Sequence, residues 1–87
     1  MANVHIPAPL RTLTGGEVDL VAEGATLGEV IANLDKRFPG LQARLVEGER
    51  LRPGIAVFAE SVNIPSRLST PVSENASLYF APAISGG

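Results

Sequence analysis

Asn3-Val4-His5-Ile6 alternates polar and apolar positions, the period of a strand with one buried face. Pro7-Ala8-Pro9 ends that run. Thr14-Gly15-Gly16 follows as a turn, because glycine takes the positive φ angles that turns require. Alternation resumes over Glu17-Val18-Asp19-Leu20-Val21-Ala22, and two strands flanking a glycine-containing loop predict a hairpin. The period then changes. Leu27, Val30, Ile31 and Leu34 fall at i, i+3, i+4 and i+7, one apolar stripe of a helix over residues 26–38. Thr26 is its expected N-cap and Glu29 completes a capping box. Phe38 prolongs the stripe, and Pro39-Gly40 stops the helix.

Residues 41–54 are ambiguous: Leu41, Leu45 and Val46 suit either a short second helix or an anchored loop. Glu47-Gly48-Glu49-Arg50 reads as solvent-facing, and Pro53-Gly54 as a turn. Ile55-Ala56-Val57-Phe58-Ala59 is apolar enough for a central strand. Residues 60–76 read as turns and short strand pieces anchored by Val62, Ile64, Leu68 and Val72. Ser77-Leu78-Tyr79-Phe80-Ala81 is the last strand, with Leu78 and Phe80 on one face and Tyr79 and Ala81 on the other. A hairpin, a helix and further strands give an α+β architecture, a mixed sheet with one main helix across a face. This ββαβ order is that of a β-grasp fold, in which the first and last strands pair in parallel at the centre. The expected organisation is a β-grasp domain over residues 1–82 and a flexible C-terminal tail over 83–87.

At 87 residues there is room for one domain and a modest core. Hydrophobic residues at 45% and charged residues at 18% mark a globular chain rather than a disordered one. A formal charge of -2 with scattered basic residues argues against nucleic acid, which needs a concentrated basic surface. Lys36-Arg37, the one adjacent basic pair, reads as a solvated helix C-terminus. Without cysteine a disulfide framework, a thiolate nucleophile and a Cys-based metal site are excluded. Residues 1–20 hold no long apolar run, so neither a signal peptide nor a membrane span is expected, and the expected compartment is the cytoplasm.

Candidate chemistry inside the domain is sparse. His5 lies in a strand with no partner nearby in sequence. The nine acidic residues form no metal or acid–base pattern. Ser61, Ser66, Ser69, Ser73 and Ser77 lie outside any nucleophile-elbow sequence. Gly15-Gly16 lacks the lysine and helix start of a phosphate loop. The expectation is a non-enzyme with no catalytic residue, no metal and no bound cofactor. The tail differs. Pro82 closes the last strand, since proline cannot donate to a ladder. Ala83-Ile84-Ser85-Gly86-Gly87 is slender, and two glycines can thread a narrow channel to present a carboxylate. The blander reading is a frayed end. The strand–proline–tail order favours the functional one.

These residues resemble the ThiS/MoaD family of ubiquitin-like sulfur carriers over nearly the whole chain. The resemblance rests on Thr26-Leu27-Gly28-Glu29-Val30-Ile31, on Phe38-Pro39-Gly40-Leu41, and most specifically on Leu78-Tyr79-Phe80-Ala81-Pro82-Ala83-Ile84-Ser85-Gly86-Gly87. Ile6-Pro7 with Leu10-Arg11 and Thr14-Gly15-Gly16 is most similar to carriers of a thiocarboxylate-dependent cysteine-biosynthesis pathway. The resemblance implies that Gly87 is adenylated and converted to a thiocarboxylate. Gly86, Ser85 and Ile84 would be the channel-access tail, and Tyr79, Ala81 and Pro82 the partner surface. It implies as partners an E1-like adenylating and sulfurating enzyme that uses ATP, a cysteine synthase-like sulfur acceptor, and a metalloprotease acting at the C-terminus. Two departures stand out. Ala81 is smaller than the apolar residue usual in the family, and Glu74-Asn75-Ala76-Ser77 replaces an Asp-Gly-Asp-like turn. Three alternatives remain open: a small subunit of molybdopterin synthase, a protein modifier conjugated through Gly87, and a non-covalent interaction module.

Overall fold

The structure, a computed structural model, describes residues 1–82. The expected tail, residues 83–87, lies outside the described residues. Among the described residues, seven strands, two α-helices and one 3-10 turn follow in order: β1 (Ala2–His5), the 3-10 turn (Ala8–Leu10), β2 (Asp19–Ala22), α1 (Leu27–Arg37), α2 (Leu41–Leu45), β3 (Val46–Glu47), β4 (Arg50–Leu51), β5 (Ile55–Ala59), β6 (Val62–Ile64) and β7 (Ser77–Pro82). The main sheet has the order β2-β1-β7-β5-β6. β1 and β7 pair in parallel at its centre, with Val4 opposite Leu78. Antiparallel partners flank them, β2 on β1 and β5 on β7. This is the β-grasp topology expected from the element order.

α1 forms where the stripe predicts. Leu27, Val30, Ile31 and Leu34 are all buried, packed with Val4, Leu78, Phe80 and Val57 of the sheet in one cluster. Removing such side chains from water is the main stabilising term of a small domain. Thr26 caps the helix, its hydroxyl accepting from the Glu29 amide at 3.2 Å. The Glu29 carboxylate reaches back one residue further than in the usual box, to the Ala25 amide at 2.8 Å. The next two amides leave the helix for a neighbouring segment: Leu27 donates to the Thr70 carbonyl and Gly28 to the Leu68 carbonyl, both at 2.9 Å. At the other end Gly40, with φ of 107°, turns the chain into α2 as glycine allows.

Four details differ from the sequence reading. The second strand starts at Asp19 rather than Glu17. The buried Thr14 hydroxyl donates to the Glu17 carbonyl at 2.8 Å and holds that stretch in the loop. Residues 46–51 form the small hairpin β3–β4, fixed from outside by Leu51 donating to the Ser66 carbonyl and Leu68 to the Glu49 carbonyl. Val62 is no anchor: it is 63% exposed on the edge strand β6. Arg37 does more than face water, donating from Nη1 to the Val21 carbonyl on the outer edge of β2.

Candidate functional site

β7 is the strand that leads towards residues 83–87, and it is held on both sides. Its register on β1 puts Tyr79 opposite His5. Its register on β5 puts Tyr79 opposite Phe58, Ala81 opposite Ala56 and Pro82 opposite Ile55. Alternation sends Leu78 and Phe80 into the core and leaves Tyr79 47% exposed on the other face, where Ala81 is half-buried. Tyr79 and Ala81 therefore share one face, as the sequence predicts, and Pro82 is the last described residue of the strand. Gly87, Gly86, Ser85 and Ile84 lie outside the described residues.

The open face contains more than those positions. Asp19 pairs with His5, His5 with Tyr79, Tyr79 with Phe58 and Phe58 with Asn63. One residue from each strand thus forms a row across the whole sheet. Strands lie about 4.8 Å apart, so the row runs about 19 Å. The His5 and Tyr79 rings are tilted at 31° with centroids 5.1 Å apart, the separation of an interacting aromatic pair. His5 Nδ1 lies 3.2 Å from Asp19 Oδ1. Asp19 thereby holds the imidazole from one side while Tyr79 backs it from the other.

Sequence reasoning found Tyr79 and missed His5, Asp19 and Phe58 as its neighbours. One signal was present. His5 alternates with the apolar Val4 and Ile6, which places it on the open face once the strand is accepted. Its pairing with Tyr79 depends on the parallel register of β1 and β7, which no local pattern carries.

Away from the sheet face, a hollow lies between the start of α1 and the β3–β4 hairpin, lined in part by Glu29, Glu47, Glu49, Arg50 and Arg67. A helix start beside a hollow suggests an anion site, but the first amides of α1 already donate to Thr70, Leu68 and Thr26. Among the described residues no group of His, Asp or Glu is placed to hold a metal ion, and no helix is long and apolar enough to cross a membrane.

Comparison with known proteins agrees with this architecture. The ThiS family profile matches residues 4–87. The sulfur carrier protein CysO of Mycobacterium tuberculosis is 35% identical over 91 residues, covering 97% of this chain and 96% of the relative. A chain of the Amycolatopsis orientalis BexX/CysO complex matches with a TM-score of 0.89 and 37% identity, covering 100% of both chains. The crystal structure of M. tuberculosis CysO matches with a TM-score of 0.86 and 28% identity, covering 97% of this chain and 100% of the other. SAMP1 of Haloferax volcanii, at a TM-score of 0.70 and 24% identity over 99% and 98% of the two chains, shares the fold. A profile match over residues 4–87 and a relative at 35% identity settle the family: this chain belongs to the ThiS family.

Proposed function

We propose that this chain is a sulfur carrier whose carboxylate at Gly87 is activated and converted to a thiocarboxylate. The observation that carries the reading is the Gly86-Gly87 sequence behind β7, the central strand of a ThiS-family domain. A carboxylate is a poor electrophile. Attack of its oxygen on the α-phosphorus of ATP gives an acyl-adenylate and releases pyrophosphate. A sulfur nucleophile then attacks the acyl carbon and AMP leaves with one of the original carboxylate oxygens. The C-terminus then holds a thiocarboxylate, which can pass its sulfur to an acceptor. The ATP belongs to an E1-like adenylating partner rather than to the carrier.

Within this reading Gly86, Ser85 and Ile84 are the segment that enters the partner's channel. Five residues beyond Pro82 span at most about 18 Å, so the partner's reacting centre lies within that reach of the sheet's end. Tyr79, Ala81 and Pro82 form the nearby contact surface. The kinship with CysO supports a cysteine synthase-like sulfur acceptor and a metalloprotease that acts at the C-terminus after transfer. The BexX/CysO complex supports a carrier that works by docking on a partner protein.

The test is intact-mass analysis after incubating the chain with ATP, a sulfur source and its adenylating enzyme. The expected result is exchange of one oxygen for sulfur, localised by fragmentation to Gly87. No exchange, with the enzyme shown to charge another carrier, would refute the proposal.

A further inference from the structure

β1 and β7 run parallel, so the loop that follows β1 starts at the end of the sheet where β7 finishes. β5 runs antiparallel to β7 and begins at that end too, with Ile55 opposite Pro82. Two arginines belong to the connections there, Arg11 in the β1–β2 loop and Arg52 just before β5. Arg52 is already engaged: its Nε donates to the Ala43 carbonyl and its Nη1 to the Glu47 carboxylate. Arg11 differs. Its Nε donates to the Ile6 carbonyl at 3.1 Å, and among the described residues neither of its terminal amino groups has a hydrogen-bond or ion-pair partner. The residue is half-buried. Its carbonyl accepts from the Thr14 and Gly16 amides and the Thr14 hydroxyl, so the backbone that carries the guanidinium is fixed. The acidic neighbours do not neutralise it: Asp19 pairs with His5, and Glu17 is exposed and forms no ion pair. An anchored guanidinium with two free amino groups has the fork geometry that receives a carboxylate.

We propose that the Gly87 carboxylate docks on Arg11 of its own domain whenever no partner holds residues 83–87. The chain length allows it. Ile6 follows His5, which stands opposite Tyr79, and neighbouring strands lie about 4.8 Å apart, which puts the Arg11 guanidinium on the order of 10 Å from the end of β7. Five residues reach about 18 Å, enough to turn back. Tethering raises the local concentration of the carboxylate at Arg11 without any further contact. The inference rests on the sulfur-carrier reading for Gly87 as the working terminus, and it adds a resting position for that terminus. A thiocarboxylate is also an anion and takes the same place. An ion pair at the surface is weak, so a partner that binds the tail displaces it readily.

The test uses the isolated full chain, without ATP or enzyme. The Gly87 carboxyl carbon is followed by NMR through a pH titration in the parent, Arg11→Gln and Arg67→Gln. Arg67 is the control: it lines the hollow beside the start of α1, which follows the end of β2 opposite Ala2, at the far end of the sheet. A paired carboxylate is favoured in its charged form. The Gly87 carboxyl should therefore titrate about half a pH unit lower in the parent than in Arg11→Gln at low salt, and the difference should shrink as salt screens the pair. Arg67→Gln should match the parent. A second arm leaves the domain's sequence intact: amidation of the Gly87 carboxyl should shift the Arg11 side-chain nitrogen resonances and leave those of Arg67 in place. That arm decides alone if Arg11→Gln does not fold. Equal titration in the parent and Arg11→Gln, or Arg11 resonances unmoved by amidation, would overturn the contact. The Arg11 contact in a chain that never acquires sulfur would uphold the docking and overturn the carrier chemistry, and sulfur incorporation without the Arg11 response would do the reverse.

Discussion

Gly28→Ala sets helix propensity against packing, because the two effects have opposite signs. Gly28 is the second residue of α1, and alanine is favoured over glycine in a helix by about 1 kcal/mol. An added Cβ would lie 2.9 Å from the Leu68 Cβ and 3.1 Å from the Leu68 carbonyl oxygen. Ordinary carbon contacts fall at about 3.5–4.0 Å. That same carbonyl accepts the Gly28 amide at 2.9 Å, and two residues on Thr70 accepts Leu27 at 2.9 Å. Residues 68–70 cannot retreat from the methyl group without lengthening both bonds. Overpacking of this kind costs about 1–3 kcal/mol. Each weakened hydrogen bond adds up to about 0.5–1.5 kcal/mol. Against a gain of about 1 kcal/mol, the balance is a loss of about 2 kcal/mol. For a domain of this size each kcal/mol moves Tm by about 4–8 °C, so Tm should fall by about 8–16 °C. Thermal and urea unfolding followed by far-ultraviolet circular dichroism reads the change. A Gly28→Ala protein as stable as the parent, or more stable, would refute the close-approach argument and leave propensity in control.

Further substitutions probe the other determinants. Ser61 sits at φ of 68° beside Glu60 at 51° in the tight β5–β6 turn. Ser61→Gly should raise stability by about 0.5–1 kcal/mol in urea titration, since such turns favour glycine at the second position. Leu34→Ala removes a fully buried side chain of the α1 stripe and should cost about 2–5 kcal/mol in the same titration. Thr26→Ala deletes the cap to the Glu29 amide and should cost about 1 kcal/mol. Gly86→Val should abolish thiocarboxylate formation by mass analysis while Tm stays within the error of the parent, since the core cluster is built from residues 2–80.

Most of the fold is legible where one local period dominates. The α1 stripe and the alternation of β1, β2 and β7 each declare an element and its buried face, and Pro39-Gly40 declares a stop. The β3–β4 hairpin is not legible, because two-residue strands have no period to display. They exist through bonds to Ser66 and Leu68 that come from later in the chain. Val62 misleads for a related reason. Its apolar character is real, but β6 is the edge of the sheet, and burial there depends on what covers the edge rather than on the residue itself. Of the candidate site, Tyr79 and Ala81 follow from parity within one strand. The stack of His5 on Tyr79 needs a register between the first strand and the last.

On the proposed function, that register lets one strand serve both stability and recognition. β7 is central, so its inward residues Leu78 and Phe80 are locked in the core with Val4, Ile31 and Leu34, and the ladder on each side fixes its backbone. Its outward residues inherit that rigidity without contributing much burial, as the exposure of Tyr79 shows. Substitutions at Tyr79 or Ala81 can therefore alter a contact surface at little cost in folding, whereas exchange of Leu78 threatens the domain. The small Ala81–Ala56 pair is informative in this light. Both positions carry only a methyl group, so a bulky partner group meets little side-chain bulk on this part of the strand. A carrier with a larger residue at this position would hold the same partner further off. On the proposed function, Ala81→Phe should therefore weaken docking on the adenylating enzyme while unfolding remains that of the parent, and retained affinity would place the contact elsewhere on the face.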